Sequence, residues 1–376
     1  MKLIHLSDLH IGKKLNEFSL LEDQKYILTQ ILELIRQEKP DGIIIAGDVY
    51  DKAIPSVEAV QLLDSFLTEL AETRQPVFII SGNHDSAERL TFGSKLFSRS
   101  NIHVAGIYDG TVPHFTLIDT YGNVNIHLLP FIKPSAVRRI FEEAAVSNFN
   151  EALQTVLEHM QVNTAERNVL VAHQFVTGAL RSDSEEIFVG GLDNVDAALF
   201  KDFDYTALGH IHSPQNIGSE KIRYCGTPLK YSFSEASQEK SLTVVELKEK
   251  GELNIRCLPL KPLHDLKKLK GTYMQLTSLD FYKNLNRSDY YHITLTDEDD
   301  VLDAVKKLRT IYPNLMQLEY DNHRTRSAGE ITVTEKAVQK SELELFQEFF
   351  ELQNNTPMND NQQELVKELL DALKSS

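Results

Sequence analysis

The first hundred residues alternate short apolar runs with segments whose apolar residues recur at helical spacing. Apolar runs occupy residues 2–6 (KLIHL), 42–47 (GIIIAG) and 77–81 (VFIIS). Between them lie two helical faces, Tyr26, Ile27, Ile31 and Ile35, then Val57, Val60, Leu63, Phe66 and Leu70. Runs that are apolar at successive positions suit strands buried on both faces, and intervening helices suit right-handed crossovers. The pattern therefore predicts an α/β fold with a parallel or mixed central sheet.

Beyond residue 100 the pattern changes to paired strands around short turns. His114–Ile118 and Val124–Leu129 flank a turn at residues 121–123, and Ser241–Leu247 and Leu253–Leu258 flank Lys250-Gly251. These segments predict two β-hairpins. A second, more antiparallel sheet is the simplest place for both.

A shift in composition near residue 260 predicts a domain boundary. There the chain reads KPLHDLKKLKG, and a strand, helix, strand unit follows at residues 290–295, 301–311 and 315–320. From about residue 340 the chain predicts two helices, residues 343–352 and 365–373, joined by the turn-rich NNTPMNDN. We therefore expect three parts: residues 1–260, a small α+β domain at 261–337, and a helical tail at 338–376.

Composition narrows the class of protein. The chain has 376 residues, 41% of them hydrophobic, which is enough for a substantial core. No apolar run approaches the roughly 20 residues of a membrane span, and the N-terminus does not read as a signal peptide, so we expect a cytoplasmic protein without a membrane partner. Two cysteines, Cys225 and Cys257, are too few for a disulfide framework, and we expect both to be buried. The net charge of −16 opposes general attraction to a polyanion such as DNA.

Similar polar clusters follow the apolar runs. SDLH (7–10), GDVYD (47–51) and GNHD (82–85) come after the first three, while VLVAH and ALGHIH place histidines after two later runs. Side chains just beyond the carboxyl ends of parallel strands converge on one crevice. The side chains expected there are Asp8, His10, Asp48, Asn83, His84, His173, His210 and His212.

Besides His84, this set offers two carboxylates, four imidazoles and one amide oxygen, more than a single tetrahedral ion requires. Imidazole and carboxylate without thiolate suit divalent Mn, Fe or Zn. An aspartate can bridge two ions roughly 3.5 to 4 Å apart, and Asp48 is the bridging candidate. Each fragment alone is often a cap or a turn, so the prediction depends on finding all five in order.

The five fragments resemble the signature of the calcineurin-like metallophosphoesterases, over residues 8–212. More narrowly, HLSDLHIGKKL, SGNHDS, VAHQFVTG and YCGTPLKYSFSE resemble the SbcD-type nuclease subunits of bacterial SbcCD DNA-repair complexes, with Cys225 where relatives more often have serine. The resemblance is strong over residues 1–260 and extends to the remainder only in layout. It implies a two-sheet α/β/β/α sandwich, a small cap domain and a helical tail.

The resemblance also implies roles for individual residues. One ion is expected on Asp8, His10, Asp48 and His212, and the other on Asp48, Asn83, His173 and His210. His84 is then the histidine that stabilises the transition state and helps to protonate the leaving oxygen. Asp51 either orients His84 or contributes to that protonation.

The implied activity is Mn-dependent hydrolysis of DNA. Members of the family act as 3′-to-5′ exonucleases on duplex ends and as endonucleases on hairpins, gated by an SbcC-type ATPase. The resemblance further implies a homodimer of this chain, associated with the nucleoid.

The charge is unevenly distributed, which bears on DNA binding. Residues 341–376 hold eight acidic residues against two lysines, whereas residues 261–290 hold six basic and three acidic residues. We expect DNA contacts from a basic face around the small domain, formed by Lys261, Lys267, Lys268, Lys270, Arg324 and Arg326. An ordinary solvated surface is the alternative.

The tail carries two apolar helical stripes. Their members are Leu345, Phe346, Phe349 and Leu352 on the first helix and Leu365, Leu369, Leu370 and Leu373 on the second. The helices either fold back on their own domain or, as the resemblance implies, dock on the SbcC-type partner.

These observations favour a dimetal DNA nuclease. A phosphatase of the same fold acting on a phosphoprotein or a cyclic nucleotide is the nearest alternative, and a metal-free binding scaffold is the alternative from another class. The complete set of ligand-type residues favours an enzyme over the scaffold.

Overall fold

The computed structural model describes residues 1–185, 193–323, 325, 341–354 and 357–375. The chain forms two compact units, Met1–Asp265 and Leu266–Ser376. In the first unit the strands are β1 (Lys2–Leu6), β2 (Lys14–Leu15), β3 (Phe18–Ser19), β4 (Gly42–Ala46), β5 (Val77–Ile80), β6 (Ile102–Ala105), β7 (His114–Asp119), β8 (Gly122–Leu128), β9 (Arg167–His173), β10 (Phe175–Val176), β11 (Asn194–Val195), β12 (Tyr205–Gly209), β13 (Gln215–Ile217), β14 (Ser219–Tyr224), β15 (Ser241–Leu247) and β16 (Leu253–Pro259). Its helices are α1 (Leu21–Glu38), α2 (Val57–Glu72), α3 (Ala87–Thr91), α4 (Ser94–Phe97), α5 (Pro134–Ile140) and α6 (Phe149–His159).

Two six-stranded sheets form the centre of the first unit. Their strand orders are β16-β15-β1-β4-β5-β6 and β13-β14-β12-β9-β8-β7. In the first sheet β1, β4, β5 and β6 are parallel, and in the second β8, β9, β12 and β14 are parallel. The carboxyl ends of the parallel strands in each sheet therefore lie at one edge of that sheet.

Both predicted hairpins form, but only the first lies in the second sheet, so the expectation that both would lie there is wrong for the other. β7 and β8 lie at one edge of the second sheet, whose central strands are parallel. β15 and β16 extend the first sheet instead, because β15 pairs antiparallel with β1 and turns Val245 and Leu247 into the core between the sheets. Local strand signals cannot reveal which sheet a hairpin joins.

The two sheets pack face to face. Leu3, Ile44 and Phe78 of the first sheet share a core cluster with Ile126 and Val171 of the second. Beyond the second sheet, α5 and α6 bury Val137, Leu153 and Val156 in a separate cluster. The outward side chains of the first sheet are also buried, and α1 and α2 each bury an apolar face. These layers confirm the predicted α/β/β/α sandwich.

A polar cluster ties the two sheets together at the end of β7. The Asp119 carboxylate accepts hydrogen bonds from the Met1 ammonium and from both terminal nitrogens of the Arg167 guanidinium. Arg167 also donates to the carbonyls of Gly122 (2.7 Å) and Lys248 (2.7 Å). The Arg167 side chain is 3% exposed, so its charge depends on these partners.

The second unit is smaller. It contains β17 (Leu266–Gly271), α7 (Tyr273–Leu276), α8 (Leu279–Tyr282), β18 (Tyr290–Leu295), α9 (Ala304–Arg309), β19 (Leu315–Tyr320), α10 (Glu342–Asn354) and α11 (Asp360–Ser375). Its three parallel strands, in the order β17-β18-β19, bury Tyr291, Ile293 and Leu308 in one core cluster. The strands at 290–295 and 315–320 agree with the sequence prediction. β17 was missed because its lysines hide the apolar pattern.

Two further observations concern the cysteines and the helices. Cys225 is buried as expected, but the expectation for Cys257 is wrong, because this residue lies exposed on β16, an edge strand. Among the described residues, no helix combines the length and apolar character that crossing a bilayer requires.

Candidate metal centre

The loops after β1 and β4 run side by side. Asp8 N donates to Gly47 O (3.0 Å), and His10 N donates to Asp48 O (2.9 Å). Asp8, His10 and Asp48 all have left-handed backbone conformations, with φ of 53°, 43° and 47°. Such conformations are uncommon for residues other than glycine and cluster at functional sites. The backbone thus turns sharply to place three polar side chains beyond the strands.

Two glycines allow the loops to approach closely. A Cβ on Gly82 would lie 2.1 Å from Asp48 Oδ1, and a Cβ on Gly209 would lie 1.9 Å from the carbonyl oxygen of Ala46. Gly209 ends β12 of the second sheet, whereas Ala46 ends β4 of the first. The site is therefore built where the two sheets come closest.

Asp8, His10 and His212 form the first group of side chains. His10 Nε2 lies 3.1 Å from His212 Nε2, and one ligand atom of each residue lies within 4.8 Å of the others. The Asp8 carboxylate also accepts a hydrogen bond from His210 N (2.9 Å) and one from the Ser7 hydroxyl. All three side chains are buried.

Asn83, His173 and His210 form the second group. The side-chain oxygen of Asn83 lies 3.0 Å from His173 Nε2 and 2.9 Å from His210 Nδ1. His173 Nδ1 donates to the Ala46 carbonyl (2.8 Å), which directs Nε2 towards the centre. Both histidines are buried, whereas Asn83 is half-buried.

Asp48 lies between the two groups. Its Oδ2 is 3.3 Å from His173 Nε2 and 3.7 Å from His10 Nε2. Its Oδ1 accepts a hydrogen bond from His84 N (2.9 Å), which fixes the carboxylate. The predicted bridging residue thus faces one histidine of each group.

Burial and mutual charge shift the pKa values in this cluster. Burial raises the pKa of Asp8 to about 6. Burial alone would lower the pKa of His173, but the Asp48 carboxylate outweighs it and raises this pKa to about 9. The same interaction overcomes burial to hold the pKa of Asp48 well below its usual range. Burial lowers the pKa of both His10 and His210.

These features fit divalent cations. Two buried carboxylates and several unprotonated imidazole nitrogens converge, and such a set is stable only when positive charge lies among its members. Without an ion, a proton on His173 supplies part of that charge. Carboxylate, imidazole and amide oxygen are ligands that divalent Mn, Fe and Zn accept.

His84 lies at the edge of the cluster and is half-buried. Its ring lies 4.8 Å from that of His10, and its Nδ1 donates to the backbone carbonyl of Asp51 (3.0 Å). The Asp51 carboxylate instead faces Lys13 Nζ at 2.8 Å and His10 Nδ1 at 3.7 Å. Asp51 therefore touches His84 through its main chain and His10 through its side chain. Lys13, next to the first motif, was not singled out from the sequence.

Asp85 is a second residue that sequence reasoning missed, although it belongs to GNHD. Its carboxylate accepts hydrogen bonds from the backbone nitrogens of Val49 (3.1 Å), Tyr50 (2.9 Å) and Gly82 (3.0 Å). Burial and the nearby Asp48 charge raise its pKa to about 6. This residue joins the loops after β4 and β5.

A polar cluster behind His212, in which Ser184 is half-buried and Glu235 and Lys240 are buried, was also missed. It consists of Ser184, Glu235 and Lys240, and Ser184 Oγ lies 2.6 Å from His212 Nδ1. Burial would raise the pKa of Glu235, but the nearby His212 ring and the Lys240 charge lower it to about 2. Glu235 ends the fragment YSFSE, so a signal was present in the sequence.

The predicted DNA-contacting residues lie apart from this cluster in the sequence. Lys267, Lys268 and Lys270 are exposed on β17, and Lys261 is exposed just before the second unit. Lys270 forms an ion pair with Asp321. Arg324 and Arg326 lie outside the described residues.

The predicted partner-binding residues lie on α10 and α11, which contact each other. Leu345, Phe346, Phe349, Leu365 and Leu369 remain between 41% and 58% exposed, and Leu370 is half-buried. The side chains of Leu352 and Leu373 lie outside the described part of the structure.

Comparison with known proteins adds independent information. Residues 1–214 match the model of the calcineurin-like phosphoesterase family, and residues 262–354 match the SbcD_C model, described as the type 5 capsule protein repressor C-terminal domain. The chain is 35% identical to the SbcD subunit of the SbcCD nuclease of Staphylococcus epidermidis, over 98% of both chains. It is 38% identical to the corresponding subunit from Staphylococcus saprophyticus, over 85% of this chain and 84% of the other. The crystal structure of TT1561 of Thermus thermophilus aligns with a TM-score of 0.38 at 12% identity, over 68% of this chain and 98% of that one.

Proposed function

Because the chain belongs to the family of SbcD subunits of SbcCD nucleases, within the calcineurin-like phosphoesterases, we propose that it hydrolyses phosphodiester bonds of DNA as the nuclease subunit of an SbcCD-type complex. The observation that carries the proposal is the convergence of seven ligand-type side chains beside His84. Phosphodiester hydrolysis uses such a cluster, because the attacked phosphate and the leaving oxygen both carry negative charge.

The proposed ligands divide into two sets that share Asp48. Asp8, His10 and His212 complete one set, and Asn83, His173 and His210 complete the other. Two divalent ions held there supply Lewis acidity and lower the pKa of water. We propose Mn(II) as the native metal.

His84 is proposed to protonate the leaving oxygen. Its Nδ1 donates to the Asp51 carbonyl (3.0 Å), which leaves Nε2 to carry and deliver a proton. Half-buried at the edge of the cluster, the ring is accessible to a bound substrate. The Asp51 main chain orients this ring, and the Asp51 carboxylate forms an ion pair with Lys13.

The substrates we propose are DNA duplex ends, cut 3′-to-5′, and DNA hairpins, cut internally. The test is cleavage of an end-labelled DNA hairpin by the purified chain with its SbcC-type ATPase, ATP and Mn(II). We expect shortening that requires Mn(II) and is lost in His84→Ala. Intact DNA alongside hydrolysis of a small phosphodiester would reject the nuclease and retain the metal centre, whereas inactivity on both would favour a binding scaffold.

We propose that the basic residues of the second unit position DNA through its phosphates. Lys268 and Lys270 pair with His292 and Thr294 of β18 and so lie on the sheet face opposite the apolar side chains Ile293 and Leu295. That face is polar, and on it Lys270 pairs with Asp321 and His292 faces Glu319. Lys267 pairs with Tyr291 and lies on the other face, although its side chain is exposed. Changing Lys267 and Lys268 together to glutamate should weaken DNA binding and flatten its dependence on salt concentration, because fewer counterions are released. Unchanged affinity and slope would reject this role.

The helix pair α10 and α11 is proposed to bind the SbcC-type partner. The two helices contact each other, and five of their large apolar side chains are exposed among those that the structure describes. Such a surface suits burial against a partner helix. Removing residues 338–376 should abolish co-purification with the partner and leave metal binding intact. Retained association would show that the tail is not the docking segment.

We propose that the protein is a homodimer and that α2, α3 and α4 supply the contact. Val60, Phe92 and Phe97 line one cavity of about 400 Å³, and Phe92 is 84% exposed. An exposed apolar surface of this kind suits association with a second copy. Phe92→Asp should convert the dimer to a monomer in sedimentation velocity, while the exposed control Ile118→Asp should leave it dimeric.

The domain boundaries follow from these roles. We propose a nuclease domain at residues 1–260, a DNA-contacting cap at 261–337 and a partner-binding segment at 338–376. We also propose a cytoplasmic, nucleoid-associated location, which fluorescence microscopy of a tagged chain would test.

A further inference from the structure

His212 is held differently from the other histidines of the metal centre. The Nδ1 atom of His173 is fixed by a backbone carbonyl, and His10 Nδ1 has no hydrogen-bond partner among the described residues. His210 Nδ1 faces Asn83, itself a proposed ligand, at 2.9 Å, whereas His212 Nδ1 meets the hydroxyl of Ser184, which is not a proposed ligand, at 2.6 Å. The orientation of the His212 ring therefore depends on a side-chain group, which a substitution can remove.

The direction of each hydrogen bond in this cluster follows from chemistry. The Glu235 carboxylate can only accept, and Ser184 Oγ lies 2.6 Å from its Oε1, so the serine proton points to Glu235. The serine oxygen then accepts a hydrogen bond from His212 Nδ1, and it also lies 2.8 Å from the Ser182 hydroxyl oxygen. The imidazole is thereby fixed as the Nδ1–H tautomer, and its unprotonated Nε2 faces His10 Nε2 at 3.1 Å, inside the metal centre.

Lys240 holds the other end of the cluster. Its ammonium group donates to Glu235 Oε2 (2.6 Å), the carbonyl of His212 (2.9 Å) and Gln238 Oε1 (2.8 Å), which uses all three of its protons. The side chains of Glu235 and Lys240 are 0% and 4% exposed. A buried carboxylate paired in this way stays fixed as an acceptor.

The segment that carries Ser184 is attached to the same ligand twice. Besides the Ser184 contact, Glu185 Oε1 accepts a hydrogen bond from His212 N (2.7 Å). Asp183 N also donates to Ser234 Oγ (3.0 Å), which holds the segment beside Glu235. The contacts between this segment and the metal centre are therefore polar and directional, and they converge on one histidine.

We infer that Ser184 is a positioning residue. Its hydroxyl links the Glu235 carboxylate to His212 through two hydrogen bonds and so sets the tautomer in which His212 binds a divalent ion. This inference rests on the proposed role of His212 as a metal ligand. A partner that orients a metal-binding histidine typically contributes 10- to 100-fold to metal affinity.

Valine and threonine have nearly the same shape and differ in the hydroxyl, so they form a matched pair at this position. We expect Ser184→Val to weaken one of two Mn(II) binding events about 10- to 100-fold in isothermal titration calorimetry, and Ser184→Thr to stay within about threefold of wild type. Ser65→Val is the control, because the exposed Ser65 hydroxyl donates to Gln61 O (2.9 Å) on the surface of α2.

The tautomer provides a second measurement that does not depend on activity. In ¹⁵N-histidine NMR spectra of the metal-free protein, we expect the Nδ1–H form of His212 in wild type and Ser184→Thr, and a mixture of tautomers in Ser184→Val. Wild-type affinity and tautomer in Ser184→Val would overturn the inference, as would equal losses in both variants, since the added methyl would then be the cause. A wild-type chain that binds no Mn(II) would instead reject the proposed metal centre.

Discussion

Replacing Gly209 by alanine tests whether the two sheets must touch for the metal centre to form. The new Cβ would lie 1.9 Å from the Ala46 carbonyl oxygen and 2.7 Å from His173 Nδ1. Ordinary van der Waals contact would require the gap to open by roughly 1.5 Å. Because the nearest atom belongs to the backbone, no side-chain rotation can relieve the overlap.

We expect Gly209→Ala to lower both the activity and the stability of the protein. The Ala46 carbonyl orients His173, so opening the gap moves this side chain relative to Asp48. A displacement of 1 Å costs about 100-fold in rate, and overpacking costs about 1 to 3 kcal/mol, which lowers the melting temperature by roughly 2 to 12 °C. Hydrolysis of bis(p-nitrophenyl) phosphate with Mn(II), together with thermal unfolding, measures both.

Gly251→Ala is the matched control. Gly251 has φ of 90° and nothing within 4 Å of an added Cβ, so alanine there introduces backbone strain without a clash. We expect this variant to lose about 1 kcal/mol of stability and to keep its activity. If Gly209→Ala hydrolyses the substrate within threefold of the wild-type rate, the sheet contact does not determine the position of His173.

Three further predictions concern the ion pair of Asp119, the backbone hydrogen bonds of Asp85 and the binding of Mn(II). Asp119→Ala should lower the free energy of unfolding by about 3 to 5 kcal/mol in urea titrations, because it leaves the buried Arg167 charge unpaired. Arg167 holds the pKa of Asp119 below its usual range, so this contribution is present above about pH 4 and lost as the pH falls further; an effect that grows in acid would contradict the assignment. Asp85→Asn should cost about 2 to 4 kcal/mol, because an amide cannot accept all three backbone hydrogen bonds, whereas exposed Asp109→Asn should cost under about 1 kcal/mol. Mn(II) at about 100 times its dissociation constant should stabilise the chain by about 2.7 kcal/mol per site and EDTA should reverse this, while Asp48→Asn should remove most of the shift in melting temperature.

Much of the first unit could be predicted because its signals are local. KLIHL, GIIIAG and VFIIS are apolar at successive positions, and these segments are the parallel strands β1, β4 and β5. The polar residues that follow parallel strands lie at the same edge of a sheet, because the carboxyl ends of those strands meet there. The members of the cluster could therefore be named from their positions after the apolar runs. The sheet that β15 joins depends on pairing with β1, more than 200 residues away in sequence, and no local pattern carries that information.

The supporting residues of the site were harder to predict for a different reason. Ser184 lies about 50 residues before Glu235 and Lys240, and each is an ordinary polar residue in its own sequence context. Their role arises from lying together behind His212, which only the folded chain reveals. The contacts of Asp51 were hard to predict for the same reason, because a sequence motif does not show whether the main chain or the side chain meets His84.

The pairing of Asp8 and His10 with His210 and His212 has a consequence for synthesis of the chain on the ribosome. The first group of the metal centre joins residues about 200 positions apart in the sequence. In addition, β1 lacks its antiparallel neighbour until β15 has been synthesised. A nascent chain that has emerged only through its first 200 residues therefore has Asp8 and His10 without their partners. Phosphodiester-cleaving activity should therefore be absent from products truncated before residue 212.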